Sequence, residues 1–163
     1  MGTQAQPLPM TQVAVVARDL RKTIRMYHKM LGWGPWNVYV LKPPRHHHTT
    51  IRGKPVHYTM QIAETHVGLL GFEVIEPLEG PSIYEEFLEQ KGEGLHHVAC
   101  MRTAAELDPM LERFKRIGVE VLMSGRIEDS IYYCYLNTEP MLKLVLETGS
   151  GHAINLKPDW TYP

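Results

Sequence analysis

The sequence predicts an α+β domain made by duplicating one small unit, and three observations carry that prediction. The stretches TQVAVVARDLRKTIRMYHKMLGWG (11–34) and HHVACMRTAAELDPMLERFKRIG (96–118) each read as a strand, a polar corner, an amphipathic helix and a glycine stop. Their offset is nearly constant: Gln12 and His97 lie 85 positions apart, Gly32 and Gly118 lie 86 apart. The chain has 163 residues, 44% of them hydrophobic, which is the size of one domain able to bury a core. The organisation expected is a single domain over 1–163, with module one at about 11–80, module two at about 92–150 and a C-terminal tail at 151–163.

In module one, Val13, Val15 and Ala17 alternate with Gln12, Ala14 and Val16, which suits a short strand buried on both sides. Asp19 is placed to cap a helix in which Leu20, Ile24, Tyr27 and Leu31 recur near a 3.6 period. A strand is expected over 37–41. The stretch KPPRHHHTTIRGKP (42–55) reads as an irregular loop because of its prolines and glycine, so His46, His47 and His48 are expected to be solvated. Strands are expected over 57–63 and 67–75, with a turn near 64–66. A short helix over 82–90 and a glycine-rich link lead into module two. There the strand 97–102 precedes a helix carrying Leu107, Leu111, Phe114 and Ile117, followed by strands at 119–123, 131–137 and 143–148.

Composition excludes several functions. A net charge of −1 supplies no general field for nucleic acid or an anionic membrane. The first ten residues lack the apolar stretch of a secretory signal, and no run of about 18 apolar residues follows, so a cytoplasmic protein without a membrane segment is expected. Cys100 and Cys134 lie in apolar strand-like contexts without metal or redox spacing and read as packing residues.

Four polar residues stand out because they occupy matching places in the repeat. Gln12 and His97 open the first strand of each module; Glu73 (in GFEVIEP) and Glu147 (in LVLETG) close the last. Strand alternation puts Gln12 with Ala14 and His97 with Ala99, and the small alanines leave room for a cavity. An amide oxygen, an imidazole and two carboxylates suit a divalent ion such as Zn²⁺, Ni²⁺, Co²⁺ or Mn²⁺ with positions left for water or substrate. His96 and His97 are strand neighbours expected to point opposite ways, and alignment with Gln12 selects His97.

This layout, together with PLEGPSIYEEFLEQKGEGLHHVAC and the closing LVLETG, resembles the vicinal oxygen chelate superfamily of glyoxalase I, methylmalonyl-CoA epimerase, extradiol dioxygenases and bleomycin-resistance proteins. The likeness spans about 11–149, and 76–99 is most similar to methylmalonyl-CoA epimerases. It implies two βαβββ modules forming an open cup-like barrel around a metal held by Gln12, Glu73, His97 and Glu147. Epimerases of this type usually have histidine where Gln12 stands, whereas glyoxalase I commonly has glutamine there.

The chemistry implied is a metal-dependent isomerase or epimerase that removes a proton alpha to a carbonyl through a metal-stabilised enolate, with an acyl-CoA such as methylmalonyl-CoA as the example substrate. Glu147 is the preferred base and Glu73 its symmetry mate. The epimerases are thought to use a further glutamate on the strand matching 57–63. The best-matching position here is Thr59, and His57 is the substitute proton carrier. Trp33, Trp36, Tyr39 and Tyr58 are candidates for an apolar mouth, and Lys42, Arg45, Arg52 and Lys54 for contacts to an anionic group.

Two other readings stand beside this one. A glyoxalase I-like lyase is favoured by Gln12, and a non-enzymatic small-molecule binder would resemble the bleomycin-resistance members, which generally lack the full ligand set. Extradiol cleavage needs a two-histidine, one-carboxylate iron site that Gln12 does not supply. The resemblance also implies a homodimer.

Overall fold

Small apolar residues in alternation make Gln12–Val16 the first strand, β1. Asp19 accepts a hydrogen bond from the Lys22 amide at 2.8 Å and so caps α1 (Leu20–Leu31). Gly32 ends that helix at φ 69°, a left-handed conformation that costs a residue with a Cβ more. Module one continues through β2 (Trp36–Leu41), β3 (His46–Ile51), β4 (Lys54–Pro55), β5 (Thr59–Val67) and β6 (Leu70–Glu79). The connecting helix α2 (Ile83–Gln90) is capped by Ser82. Module two runs β7 (Gly94–Ala99), α3 (Ala104–Arg116), β8 (Val121–Ile127), β9 (Ile131–Leu136), the single turn α4 (Glu139–Leu142) and β10 (Val145–Ser150), and β11 (Trp160–Tyr162) ends the chain. The computed structural model describes residues 7–151 and 156–163. Residues 1–6 and the 152–155 part of the expected tail lie outside the described residues.

The strands form one strongly curled, open sheet in the order β11-β2-β5-β6-β1-β7-β10-β9-β8-β3-β4, a half-barrel that matches the expected α+β cup. The seam between the modules is the antiparallel pair β1 and β7, where Gln12 faces Ala99 and Ala14 faces His97. This register is what the sequence offset requires, since the two pairings exchange when 85 is added to the β1 numbers. Each module then adds a parallel neighbour, with Ala14 beside Glu73 of β6 and Ala99 beside Glu147 of β10.

Both faces of the sheet are covered where the core demands it. On the convex side, Leu20 and Ile24 of α1 pack against Trp36, Val38, Ala63 and Val74, and each fully buried aliphatic side chain contributes about 1.5–3 kcal/mol. The Leu111 and Phe114 side of α3 covers Cys100, Val119, Cys134, Leu136 and Leu146. Cys100 and Cys134 are free, buried packing residues, as expected. Trp33 and Trp36 belong to the α1 layer and Tyr39 and Tyr58 to the inner core. All four are packing residues, and none of them lines the inner cavity.

Two sequence expectations are corrected. The hairpin does not turn at 64–66: β5 runs on to Val67 and reverses at Gly68, whose φ is 64°. This extension puts Glu64 on the strand, where no glutamate was expected. The segment 42–55 is not an irregular loop, because β3 crosses to module two and pairs with β8, Thr50 to Ser124 and Ile51 to Met123. A polar run reads as a loop when its partners are distant in sequence. Here they exist: Thr50 bonds Ser124 at 2.8 Å, and His46, only 1% exposed, meets the Tyr133 hydroxyl at 2.6 Å. His46 is therefore buried, against the expectation that the triplet is solvated, while His48 stays exposed.

Candidate functional site at the module seam

The curl of the sheet forms an open cavity of about 110 Å³, walled by Leu41, Met60, Ile62, Met101, Ile127 and Ile131. Its polar end collects Gln12, Glu64, Glu73 and Glu147, with Tyr84, Tyr133 and Tyr135 alongside. The seam explains why. Ala14 and Ala99 are fully buried and carry only a methyl group, so the side chains that flank them across the ladder meet over the gap. Nε2 of His97 lies 2.9 Å from a Glu147 oxygen and 3.9 Å from a Glu73 oxygen, and Gln12 lines the same cavity beside Glu73. The four residues singled out in the sequence are thus gathered in one place. In position, Gln12 opens β1 as expected, whereas His97 lies inside β7 and the two glutamates lie mid-strand.

Glu64 is the residue that the sequence reading missed. It stands directly across from Glu73 on the β5–β6 ladder, and the equivalent place in module two, across from Glu147, is Tyr135. Burial first, and then the charge of Glu147, pushes the Glu64 carboxyl up to about 7. Burial, followed by the charges of Glu64 and Glu147, holds Glu73 well above the carboxylate range. The hydroxyls of Tyr84 and Tyr135 pair at 2.7 Å, and desolvation keeps both phenols protonated. A finer register prediction, with the turn placed at Gly68, would have found Glu64.

His57 is not at this site. It precedes β5, is solvent-exposed, and does not line the cavity, so the expected substitute proton carrier is corrected. The reason is that β5 starts at Thr59 and its inward face is set by Met60, Ile62 and Glu64. The candidate cations are likewise committed or outside. Arg52 makes two 2.8 Å bonds to Glu86, Arg45 pairs with Asp159 at 3.2 Å, and Lys42 and Lys54 are exposed.

The expectation that His96 and His97 point apart is also corrected. The ladder pairs Ala14 with His97 and Val15 with Leu95, skipping His96, and such a bulge re-aims side chains. The two Nδ1 atoms come within 2.9 Å. His96 is 6% exposed, and burial together with the neighbouring His97 lowers its pKa to about 2.

Whether this set fits a metal can be judged from its donors. Among the described residues no three His, Cys, Asp or Glu side chains are already closed into a metal-ligating cluster. Yet His97 Nε2 is a buried nitrogen without a hydrogen-bond partner, facing two carboxylates in a site where buried like charges repel. Metal bonds of about 2.0–2.2 Å place neighbouring ligand atoms roughly 3–3.5 Å apart, and the separations of 2.9 and 3.9 Å bracket that value. An imidazole, two carboxylates and an amide are donors for a borderline divalent ion, so the residues fit one.

A sequence profile of the glyoxalase/bleomycin resistance protein/dioxygenase superfamily matches residues 11–135. The chain belongs to this superfamily. No curated protein matches it in sequence. Among solved structures, methylmalonyl-CoA epimerase from Mycobacterium tuberculosis is similar in fold, with a TM-score of 0.64 at 20% identity over 93% of this chain and 94% of that one. A hypothetical protein from Bacillus halodurans C-125 has a TM-score of 0.62 at 17% identity, covering 91% of this chain and 97% of that one. A Streptomyces coelicolor methylmalonyl-CoA epimerase variant in complex with 2-nitronate-propionyl-CoA has a TM-score of 0.56 at 18% identity, covering 88% and 97%. At these identities the likeness is one of fold. No described helix is long and apolar enough to cross a membrane.

Proposed function

We propose that this superfamily member is a metal-dependent isomerase that epimerises the carbon alpha to a carbonyl, acting on an acyl-CoA thioester of the methylmalonyl type. The observation that carries the reading is the meeting of Gln12, Glu73, His97 and Glu147 over the alanine gap, with the buried Nε2 atom of His97, which makes no hydrogen bond, between two acids. These four residues would hold Zn²⁺, Ni²⁺, Co²⁺ or Mn²⁺. Bound there, the ion supplies a Lewis acid that lowers the cost of placing negative charge on a substrate carbonyl oxygen.

The protein's own residues account for the proton traffic. An epimerase takes a proton from one face of a carbon and returns one to the other. Glu147 is the base, and Glu73 its symmetry mate on the other module. Glu64 joins them, because a half-buried carboxyl held up at about 7 can both take up and release a proton near neutral pH. The apolar wall keeps water from the reacting carbon, and the paired Tyr84 and Tyr135 hydroxyls offer hydrogen bonds beside Glu147. The solved epimerases with acyl-CoA ligands support the substrate class by their fold.

The test is solvent exchange. Protein loaded with each divalent ion is incubated in D₂O with methylmalonyl-CoA, and deuterium is followed at the alpha carbon. Metal-dependent wash-in is expected, and it should fall at least 100-fold in Glu147→Ala; full exchange in a folded Glu147→Ala protein removes the base assignment. The glutathione hemithioacetal of methylglyoxal is the companion substrate, since the amide ligand Gln12 favours a glyoxalase-type lyase as the second reading. Turnover of it in place of the thioester reverses the order of the two.

A further inference from the structure

The paired imidazoles at the seam contain more information than a ligand position. Two imidazoles whose Nδ1 atoms lie 2.9 Å apart divide the roles, one giving its N–H and the other its lone pair. A neutral ring has a single N–H. Nε2 of His97 is buried and makes no hydrogen bond, and an N–H placed there would be a buried donor without an acceptor. The single N–H of the His97 ring therefore belongs on Nδ1, and His96 presents its own Nδ1 to it as an acceptor. His97 then donates from Nδ1, which leaves Nε2 bare, and Nε2 is the buried atom without a hydrogen-bond partner that faces Glu147 and Glu73.

The surroundings lock this arrangement. The bulge that skips His96 in the β1–β7 ladder turns its ring toward His97 rather than away. Edge contacts from Phe87 and Tyr135, with ring centroids at 5.0 and 5.9 Å, and a tilted contact from Tyr84 at 5.3 Å pack against it. The planes of the two imidazoles stand at 89°.

We infer that His96 is a positioning residue: by accepting the Nδ1–H of His97 it fixes the tautomer and ring orientation that aim the His97 Nε2 lone pair at the proposed metal position. The His96–His97 pair is an imidazole-to-imidazole version of the outer-shell support that metal-binding histidines generally need. It rests on the proposed metal quartet, and its test is independent of turnover.

Two measurements decide it, with Zn²⁺ as the probe. On ¹⁵N-histidine-labelled, Zn²⁺-loaded wild type, NMR should show His97 protonated at Nδ1, with a scalar coupling across the hydrogen bond to His96 Nδ1. Zn²⁺ affinity by competition with a chelator should fall 10–100-fold in His96→Phe, the range seen when outer-shell partners are removed. His96→Asn, whose amide oxygen can accept in place of Nδ1, should stay within about threefold of wild type on the same principle. A His97 ring protonated at Nε2 instead overturns the inference, as does wild-type affinity in His96→Phe. If His96→Phe does not fold, the wild-type spectrum and His96→Asn still decide. Wild type that binds no Zn²⁺ sinks the metal reading and the role of His96 with it, whereas wild type that binds and variants that bind equally sink only this inference.

Discussion

Replacing His46 with phenylalanine should flatten the acid side of the stability profile. His46 is buried, with Nε2 at 2.6 Å from the Tyr133 hydroxyl and Nδ1 without a partner, and burial lowers its pKa from 6.5 to about 4. A base whose folded value lies below its unfolded value binds fewer protons when folded, so stability is intact above pH 6.5 and is lost as pH falls toward 4. Working the linkage through for that shift gives a loss of about 2 kcal/mol at pH 5 and roughly 3 kcal/mol at pH 4 relative to pH 8. At pH 5 that corresponds to about 4–8 °C in Tm for a domain of this size. In His46→Phe the ring is still filled and Tyr133 keeps its 2.6 Å bond to Tyr58, so any cost at pH 8 should be constant with pH. Urea unfolding of both proteins from pH 8 to 4 is the assay, because the other titrating groups contribute equally to both curves and cancel in the difference. Parallel curves for wild type and variant would refute the reasoning.

Other outcomes follow from single contacts. A methyl group at Gly125 would lie 2.5 Å from the Tyr133 hydroxyl oxygen, so Gly125→Ala should lose about 1–3 kcal/mol by overpacking and disturb the cavity wall, read by chemical denaturation. Asp159 accepts from the Val40 amide at 2.7 Å and from Arg45 at 3.2 Å. Asp159→Ala should therefore cost about 0.5–1.5 kcal/mol and speed amide exchange at Val40, and unchanged exchange would deny β11 an anchoring role. Saturating Zn²⁺ at 100 times its Kd should stabilise the fold by about 2.7 kcal/mol, reversibly with chelator. The same gain in Glu147→Ala would place the ion elsewhere.

Much of this architecture was legible from residues alone. The constant offset between the two strand-helix-glycine units carries the repeated plan, Asp19 and Gly32 mark the limits of α1, and the quartet consists of polar residues that recur at matching places. Glu64 was not found, because hairpin turns are set by backbone conformation and the turn was placed three residues too early, which removed Glu64 from its strand. The 42–55 segment was misread because its strand partner, β8, lies more than 70 residues away. His57 was misassigned for a related reason, since the inward phase of β5 depends on where that strand begins.

What the linear chain determined by itself was periodicity: where the helices and most of the strands lie, that the plan occurs twice, and which side chains are chemically equipped to hold a cation. Those follow from local propensity and from burial patterns repeated every two or 3.6 residues. Only the folded sheet decided distances and pairings. The bulge that turns His96 onto His97, the burial of His46 beneath Tyr133, and the approach of Glu64 to Glu73 all depend on ladder register between strands. Register is a cooperative property of the closed sheet and the core it covers.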